Sequence, residues 1–240
     1  MFTFALAFFA SLSTSSAHAD EISSGDVFPG ASDAASGTGS VGGNVTAITS
    51  NGGLVGGVLG VDASWAPTDR LGLRVVAHGI AAPGDGEVVG VGAGVVGARY
   101  LVVDTAHFRL APWAGVAVAG ADNTEGAVIP GVGVSMEAGG KNVWFDASLP
   151  VVAVMPNAVD AGVTVVAPTF SVVMMELGVN GRIAEHHSLR LGLESLSVNA
   201  RYRYEADAWY VGAEASAVAI PTMGGVGSAG GFTVEGGMRF

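Results

Sequence analysis

Cysteine is absent from all 240 residues. That excludes a disulfide scaffold, a zinc-thiolate centre, a thiol nucleophile and a lipoprotein anchor. Charge is scarce as well, at 13% of residues. A typical soluble domain carries roughly 25%. A soluble protein this poor in charge struggles to cover its surface, whereas a protein whose outer surface meets lipid does not. Positive charge is the scarcest, with 10 Lys and Arg against 21 Asp and Glu, a net charge of −11. Phosphate binding needs a basic patch, so nucleic acid is not an expected partner. Long apolar runs are missing from the body of the chain. Leu149 to Val154 and Val163 to Ala167 are too short and too close to proline to be helical spans, which need about 20 residues.

What is present is an export pattern and a repeating one. Phe2 to Leu12 is apolar, Ser13 to Ser16 is small and polar, and Ala17-His18-Ala19 gives a small-x-small cleavage pattern. This predicts a signal peptide over 1–19, although no Lys or Arg precedes the apolar run. Residues 20–53 are rich in Gly, Ser, Ala and Asp and read as a flexible lead-in, with Val45 to Ile48 as a candidate extra strand. An exported hydrophobic chain without a helical span has one other way to satisfy its backbone in lipid, a closed β-barrel. Glycine is abundant, at 38 residues, but the plentiful Val, Leu and Ala argue against general disorder.

From Leu54 onward the hydropathy period is two. Trp209, Val211, Ala213, Ala215 and Ala217 alternate with Tyr210, Gly212, Glu214 and Ser216. Leu71, Leu73, Val75 and Ala77 alternate with Arg70, Gly72, Arg74 and His78. Such alternation marks strands with one apolar and one polar face. Ten strands are expected, over 54–65, 70–80, 87–103, 107–119, 126–138, 142–154, 168–183, 188–204, 208–220 and 231–240. Turn residues such as Ala66-Pro67-Thr68-Asp69 and Gly139-Gly140-Lys141 separate them. Within 188–204 the apolar parity switches between Leu193 and Leu196, which a one-residue bulge near Glu194-Ser195 would reconcile. The expected fold is therefore all-β, an antiparallel up-and-down transmembrane barrel over 54–240 with about ten strands, eight to twelve being compatible.

Lipid outside puts the polar face in the lumen. The expected lumen charge network is Asp62, Arg70, Arg74, Arg99, Arg109, Glu137, Asp146, Glu176, Arg182, Arg190, Glu194, Arg201, Arg203, Glu214, Glu235 and Arg239. Near balance of sign lets these groups pair, and unpaired charges there would be costly. Gly90, Gly92 and Gly94 are expected to line the same face. Trp65, Tyr100, Phe108, Trp144, Phe145, Tyr204 and Trp209 fall near strand ends, where interfacial girdles belong.

The tail Gly-Phe-Thr-Val-Glu-Gly-Gly-Met-Arg-Phe, ending at Phe240, resembles the closing strand of the bacterial outer-membrane β-barrel superfamily. The resemblance covers residues 54–240 loosely and identifies a class rather than a member. It implies residence in the outer membrane among its lipids. It also implies that Phe232, Val234, Met238 and Phe240 are read by the barrel-assembly machinery, with Phe240 on the periplasmic side. Ten strands then place the long Met155 to Ala167 connection on the periplasmic side, against the habit of these barrels. Twelve strands, with Val45 to Ile48 as one and an extra crossing between 150 and 183 as the other, would reverse that.

No motif adds firm chemistry. Gly92-Ala-Gly94-Val-Val-Gly97 matches GxGxxG, but that motif binds dinucleotides only between a strand and a helix. Glu185-His186-His187 has no third metal ligand at a suitable spacing, and it reads as a turn. His187-Ser188 is adjacency, not a triad, and GxSxG is absent. No cofactor or metal is expected. The functional expectation is a narrow charged barrel with a structural or small-solute passage role. An outer-membrane hydrolase of lipid or peptide and a loop-mediated binding barrel are the alternatives.

Overall fold

The structure is a computed structural model. It describes residues 37–50, 53–83, 88–121, 127–156, 163–166, 175–194, 197–222 and 225–240. The expected signal peptide and most of the expected lead-in lie outside the described residues. The strands in chain order are β1 (Gly39–Ser50), β2 (Gly53–Trp65), β3 (Leu71–Pro83), β4 (Val88–Tyr100), β5 (Val103–Asp104), β6 (Phe108–Ala121), β7 (Ala127–Gly139), β8 (Val143–Pro156), β9 (Val163–Val166), β10 (Glu176–Ala184), β11 (His187–Glu194), β12 (Ser197–Glu205), β13 (Trp209–Thr222) and β14 (Gly225–Arg239).

Twelve of these strands form one antiparallel ring, closed where β14 pairs with β1 and where β8 pairs with β10. The short β5 pairs with the start of β6, and β9 pairs with the last residues of β8. Closure leaves no edge in the ring, which a sheet in lipid requires. The Gly39 N–H donates to the Phe240 carbonyl at 2.8 Å, and the Phe240 N–H donates back at 3.0 Å. First and last strands therefore start and finish together, at what is called here the terminal end.

The alternation sorts side chains in the sense opposite to a soluble protein. On β12, Val198 is 61% exposed while the neighbouring Asn199 is 2% exposed. Val41, Val61, Val96, Val116, Val179 and Leu191 likewise point outward. Ser40, Asn44, Arg74, Glu137, Asp146, Arg190 and Glu235 are buried inside. The core of this protein is polar and its surface apolar, as lipid around the ring demands. Trp65, Tyr100, Phe108, Trp209 and Phe240 form an exposed aromatic belt at the terminal end. Trp144 does not belong to it, because it faces inward and is buried.

Several expectations need correction. The ring has twelve strands, not ten. Residues 39–50, assigned to the lead-in, form a full strand of 12 residues. The stretch 188–204 is two strands: Glu194 pairs with Ser197, so the chain reverses between them. Paired residues of a hairpin share a face whatever their sequence parity, so a reversal switches parity just as a bulge would. The split of 188–204 puts the extra crossing there rather than between 150 and 183, and it places the end of β8, where the long connection begins, at the far end. The strand expected over 168–183 is described only from Glu176, and most of 221–230, expected as a loop, lies in β13 and β14. Gly92 and Gly94 face outward or edge-on, while Ala93, Val95, Gly97 and Arg99 are buried on β4.

One close approach fixes the closing seam. The ring of Tyr210 on β13 lies 2.5 Å from where a Cβ on Gly237 would stand, and its hydroxyl covers Gly42 on β1. Only glycine at both positions lets one tyrosine lie flat across β13, β14 and β1. Thr46 and Thr233 share a buried hydrogen bond of 2.8 Å over the same junction.

The twelve-strand path makes a direct prediction. The native chain has no cysteine, so single cysteines report cleanly. A Ser195→Cys variant should react with a membrane-impermeant maleimide on intact cells. Asp207→Cys, at the terminal end, should react only after the outer membrane is permeabilised. Protection at position 195 in intact cells would restore a continuous strand over 188–204.

Candidate functional site: the charged interior

The interior charges form connected groups. On one side, the Arg190 guanidinium on β11 donates to Asp146 of β8, Nη2 to Oδ2 at 3.0 Å. The same guanidinium pairs with Glu194 four residues along its own strand. Asn180 on β10 donates to Asp146 as well. Glu176 faces Glu194 across the β10–β11 pairing. All of these side chains are buried.

A second group surrounds Arg203 on β12. Its Nε and Nη2 donate to one oxygen of Glu235 on β14 at 2.9 and 2.6 Å. Its Nη1 lies 3.7 Å from Glu205, which in turn lies 3.4 Å from Arg239. The guanidinium carbon stands 4.9 Å from the centre of the Tyr210 ring, an orientation that favours a cation over an aromatic face. Between the two groups, Arg201 approaches Glu214 at 4.0 Å. On the opposite wall, Arg109 contacts Asp104 at 3.1 Å and Glu137 at 4.0 Å, while Asp62, Arg74 and Arg99 are buried on β2, β3 and β4.

Fifteen of the sixteen expected network residues lie on ring strands, and most are buried. Arg182 is half-buried near the terminal end of β10. Arg70 departs: it sits exposed in the turn before β3, with its backbone N–H bonded to Thr68 Oγ1 at 3.3 Å. The network left out Asn44, Asn180, Asn199 and Tyr210, all buried inside. Their parity was the available signal, since Asn199 shares the phase of Arg201, and Asn180 that of Glu176. His78 is also buried inside.

The charges are not spread along the barrel axis. The far portions of the long strands, including 75–83, 88–98, 110–121 and 225–234, contain no Asp, Glu, Lys or Arg. Charge lies in the terminal half and on β10, β11 and β12, which have only 9, 8 and 9 residues.

The other motifs dissolve into local structure. The strand carrying Gly92 to Gly97 pairs with strands on both sides, β3 and β6. His186 lies in a turn, and His187 packs against Tyr202 and Tyr204 on the outer face. His187 Nδ1 lies 2.5 Å from the Tyr202 hydroxyl. Ser188 takes the opposite, inward phase on β11 with Arg190, so His187 and Ser188 cannot act as a pair. No group of three His, Asp or Glu suited to a metal occurs among the described residues.

Because Arg190 is the shared partner of two buried carboxylates, its loss should be among the most damaging in the interior. Arg190→Leu should destabilise the barrel by about 3–5 kcal/mol, and Arg203→Leu by a similar amount, the cost of breaking a buried pair. Arg109→Leu, with a partly exposed side chain and a partner at the rim, should cost clearly less. Urea unfolding in detergent, followed by tryptophan fluorescence, measures all three; equal midpoints for the Arg190 and Arg109 variants would contradict this ranking.

No protein-family profile matches the chain, and no curated protein matches it by sequence. Solved structures do. A KdgM porin in complex with disordered oligogalacturonate superposes with a TM-score of 0.52 at 10% identity, over 83% of this chain and 99% of that one. Outer membrane phospholipase A from Escherichia coli superposes with a TM-score of 0.50 at 7% identity, over 82% and 89%. At such low identity these likenesses carry the fold and not the activity. The chain folds as an outer-membrane-type β-barrel.

Proposed function

We propose that the chain is an integral outer-membrane protein whose narrow charged interior passes small solutes. One observation carries this reading. Inside the barrel, Asp62 Oδ2, both ring nitrogens of His78, both amide atoms of Asn199 and both carboxylate oxygens of Glu214 are buried without a hydrogen-bonding protein partner. A polar interior built only to hold a wall together would leave few such atoms, because each costs about 1–3 kcal/mol. These atoms have almost no accessible surface in this conformation, so side-chain movement that admits water or a polar solute is what would meet that need. Twelve strands keep the lumen narrow, since wide aqueous channels come with about 16–18.

The terminal end is then periplasmic. The short connections at 66–70, 140–142, 185–186 and 206–208 face the periplasm, and the long one after β8 faces outward, the usual asymmetry of these barrels. The outward apolar row accounts for outer-membrane lipid as the main partner. An enzymatic reading has no support of its own here, because its one sequence candidate splits between the two faces of β11.

The closing strand serves assembly in this reading. Phe232, Val234, Met238 and Phe240 are all outward, from 48 to 69% exposed, and they make one row that the assembly machinery can read. Deleting Phe240 should sharply reduce the heat-modifiable folded form in cells, whereas deleting Gly53 at the far end of β2 should reduce it less. Equal yields would leave the row as lipid contact only.

Passage is tested directly. The purified full-length protein in a planar bilayer should give small, discrete current steps in potassium chloride. A silent membrane containing folded protein would reduce the barrel to a structural role.

A further inference from the structure

We propose that the outer face of β10, β11, β12 and β13 binds one phospholipid of the periplasmic leaflet, with an acyl chain in a groove across these strands and a phosphoethanolamine head at His187, Tyr204 and Trp209. The inference rests on the outer-membrane reading above, with the terminal end periplasmic, and adds a specific lipid to it. It does not depend on passage.

The groove lies between two rows of outward side chains. Val179, Leu191, Ala200 and Ala215 are successive cross-strand partners from β10 to β13, and Phe145 of β8 continues the row beyond Val179. Leu177, Leu193, Val198 and Ala217 form the second row, nearer the far end. The two rows border a space of about 570 Å³, within the roughly 300–1,000 Å³ of ligand sites. Its walls are uneven. Leu191 is 57% and Val198 61% exposed, whereas β13 offers only the methyl groups of Ala215 and Ala217. An apolar trough of this kind, set in lipid, takes a flexible hydrocarbon chain.

A separate set of groups suits the head. On β12 the same face continues from Ala200 through Tyr202 to Tyr204, about 13 Å toward the terminal end. There His187 pairs with Tyr204 across the strands, their rings 5.1 Å apart. Trp209 of β13 lies 5.3 Å from Tyr204. The Tyr202 hydroxyl meets His187 Nδ1 at 2.5 Å; with the phenol as donor, the ring proton sits on Nε2 and is offered to a phosphate oxygen. Negative charge is close by. Glu185 is exposed in the β10–β11 turn and Asp207 in the β12–β13 turn. The Glu205 N–H donates to the His186 carbonyl at 2.9 Å, which holds the two turns side by side. Acids beside a phosphate donor disfavour a purely anionic head and suit one that carries an ammonium next to its phosphate. The faces of Tyr204 and Trp209 attract the same ammonium. Aromatic residues at this level are general in such barrels; the imidazole, the acids and the adjoining groove supply the selectivity.

The test is native mass spectrometry of the refolded full-length barrel in detergent, offered equal amounts of phosphatidylethanolamine and phosphatidylglycerol with the same acyl chains. One phosphatidylethanolamine per barrel should be retained in preference. Glu185→Gln should lower that preference by about threefold, the size of an exposed ion pair. Ala200→Phe, which fills the groove, should lower retention of both lipids by about fivefold. Val61→Phe, outward on β2, should leave retention unchanged. The two phenylalanine variants add apolar surface at lipid-facing positions, and heat-modifiable migration verifies that they fold. Equal retention of the two lipids, or phosphatidylethanolamine retention unmoved by Ala200→Phe, overturns the site while leaving the barrel in its membrane. Recovery of the protein outside the outer-membrane fraction overturns the reading beneath it and the site with it.

Discussion

The ring depends on the seam that is shortest among the described residues. There β8 and β10 pair over six residues, from Glu176 opposite Ser148 to Gly181 opposite Val143, whereas β13 and β14 pair over 14. A strand junction in lipid cannot be left open, because unpaired backbone groups find no water there. The Asp146, Asn180 and Arg190 group spans that seam, joining β8, β10 and β11 through side chains. Ion pairs in low dielectric thus supplement the junction that backbone hydrogen bonds hold least. The shortest strands also carry the densest charge, and both features fall on one wall of the barrel.

The interior charges have a cost that only their connectivity offsets. A buried carboxylate or guanidinium loses its hydration, and mutual attraction repays this only where the remaining donors and acceptors are met. Arg203 meets that condition, with Glu235, Glu205 and the Tyr210 ring arranged around it. The same tyrosine reaches Gly42 and Gly237, so the second charged group is coupled to the β13–β14–β1 junction. Two charged groups therefore brace the barrel at two places, one on the short wall and one at the chain ends.

The fold class was legible because lipid inverts the usual pattern without altering its period. Low charge, period two and a missing helical span each point to a barrel, and none depends on exact boundaries. The strand count was not legible at 188–204, where a tight reversal between Glu194 and Ser197 and a one-residue bulge leave the same trace in the sequence. β1 was hidden for a different reason. Its inward residues Ser40, Gly42, Asn44 and Thr46 are small and uncharged, so Gly39–Ser50 reads like a linker until its pairing with β2 and β14 is known. Gly92 and Gly94 misled because smallness was taken as a sign of the lumen, while Arg99 on the same strand fixes the opposite parity as inward. Arg70 aside, charge and parity together put the expected lumen residues on ring strands. What parity could not supply was connectivity, since which acid Arg190 holds depends on the order of strands around the ring.

The same period decides what a shared fold cannot. A porin and a phospholipase both superpose on this chain, so the barrel as such is silent on chemistry. In a barrel wall, however, sequence neighbours face opposite media, and a catalytic pair must come from residues that share a face, across strands or two apart along one. On the outer face the described histidine contact is His187 with tyrosines, Tyr202 among them, and a phenol and an imidazole without a nucleophile or an acid make no hydrolytic set. Among the described residues the connected polar groups lie on the other face, where Asp146, Asn180, Arg190 and Glu194 meet and where Arg203 meets Glu235. That segregation is what supports the proposed passage of polar solutes inside the barrel.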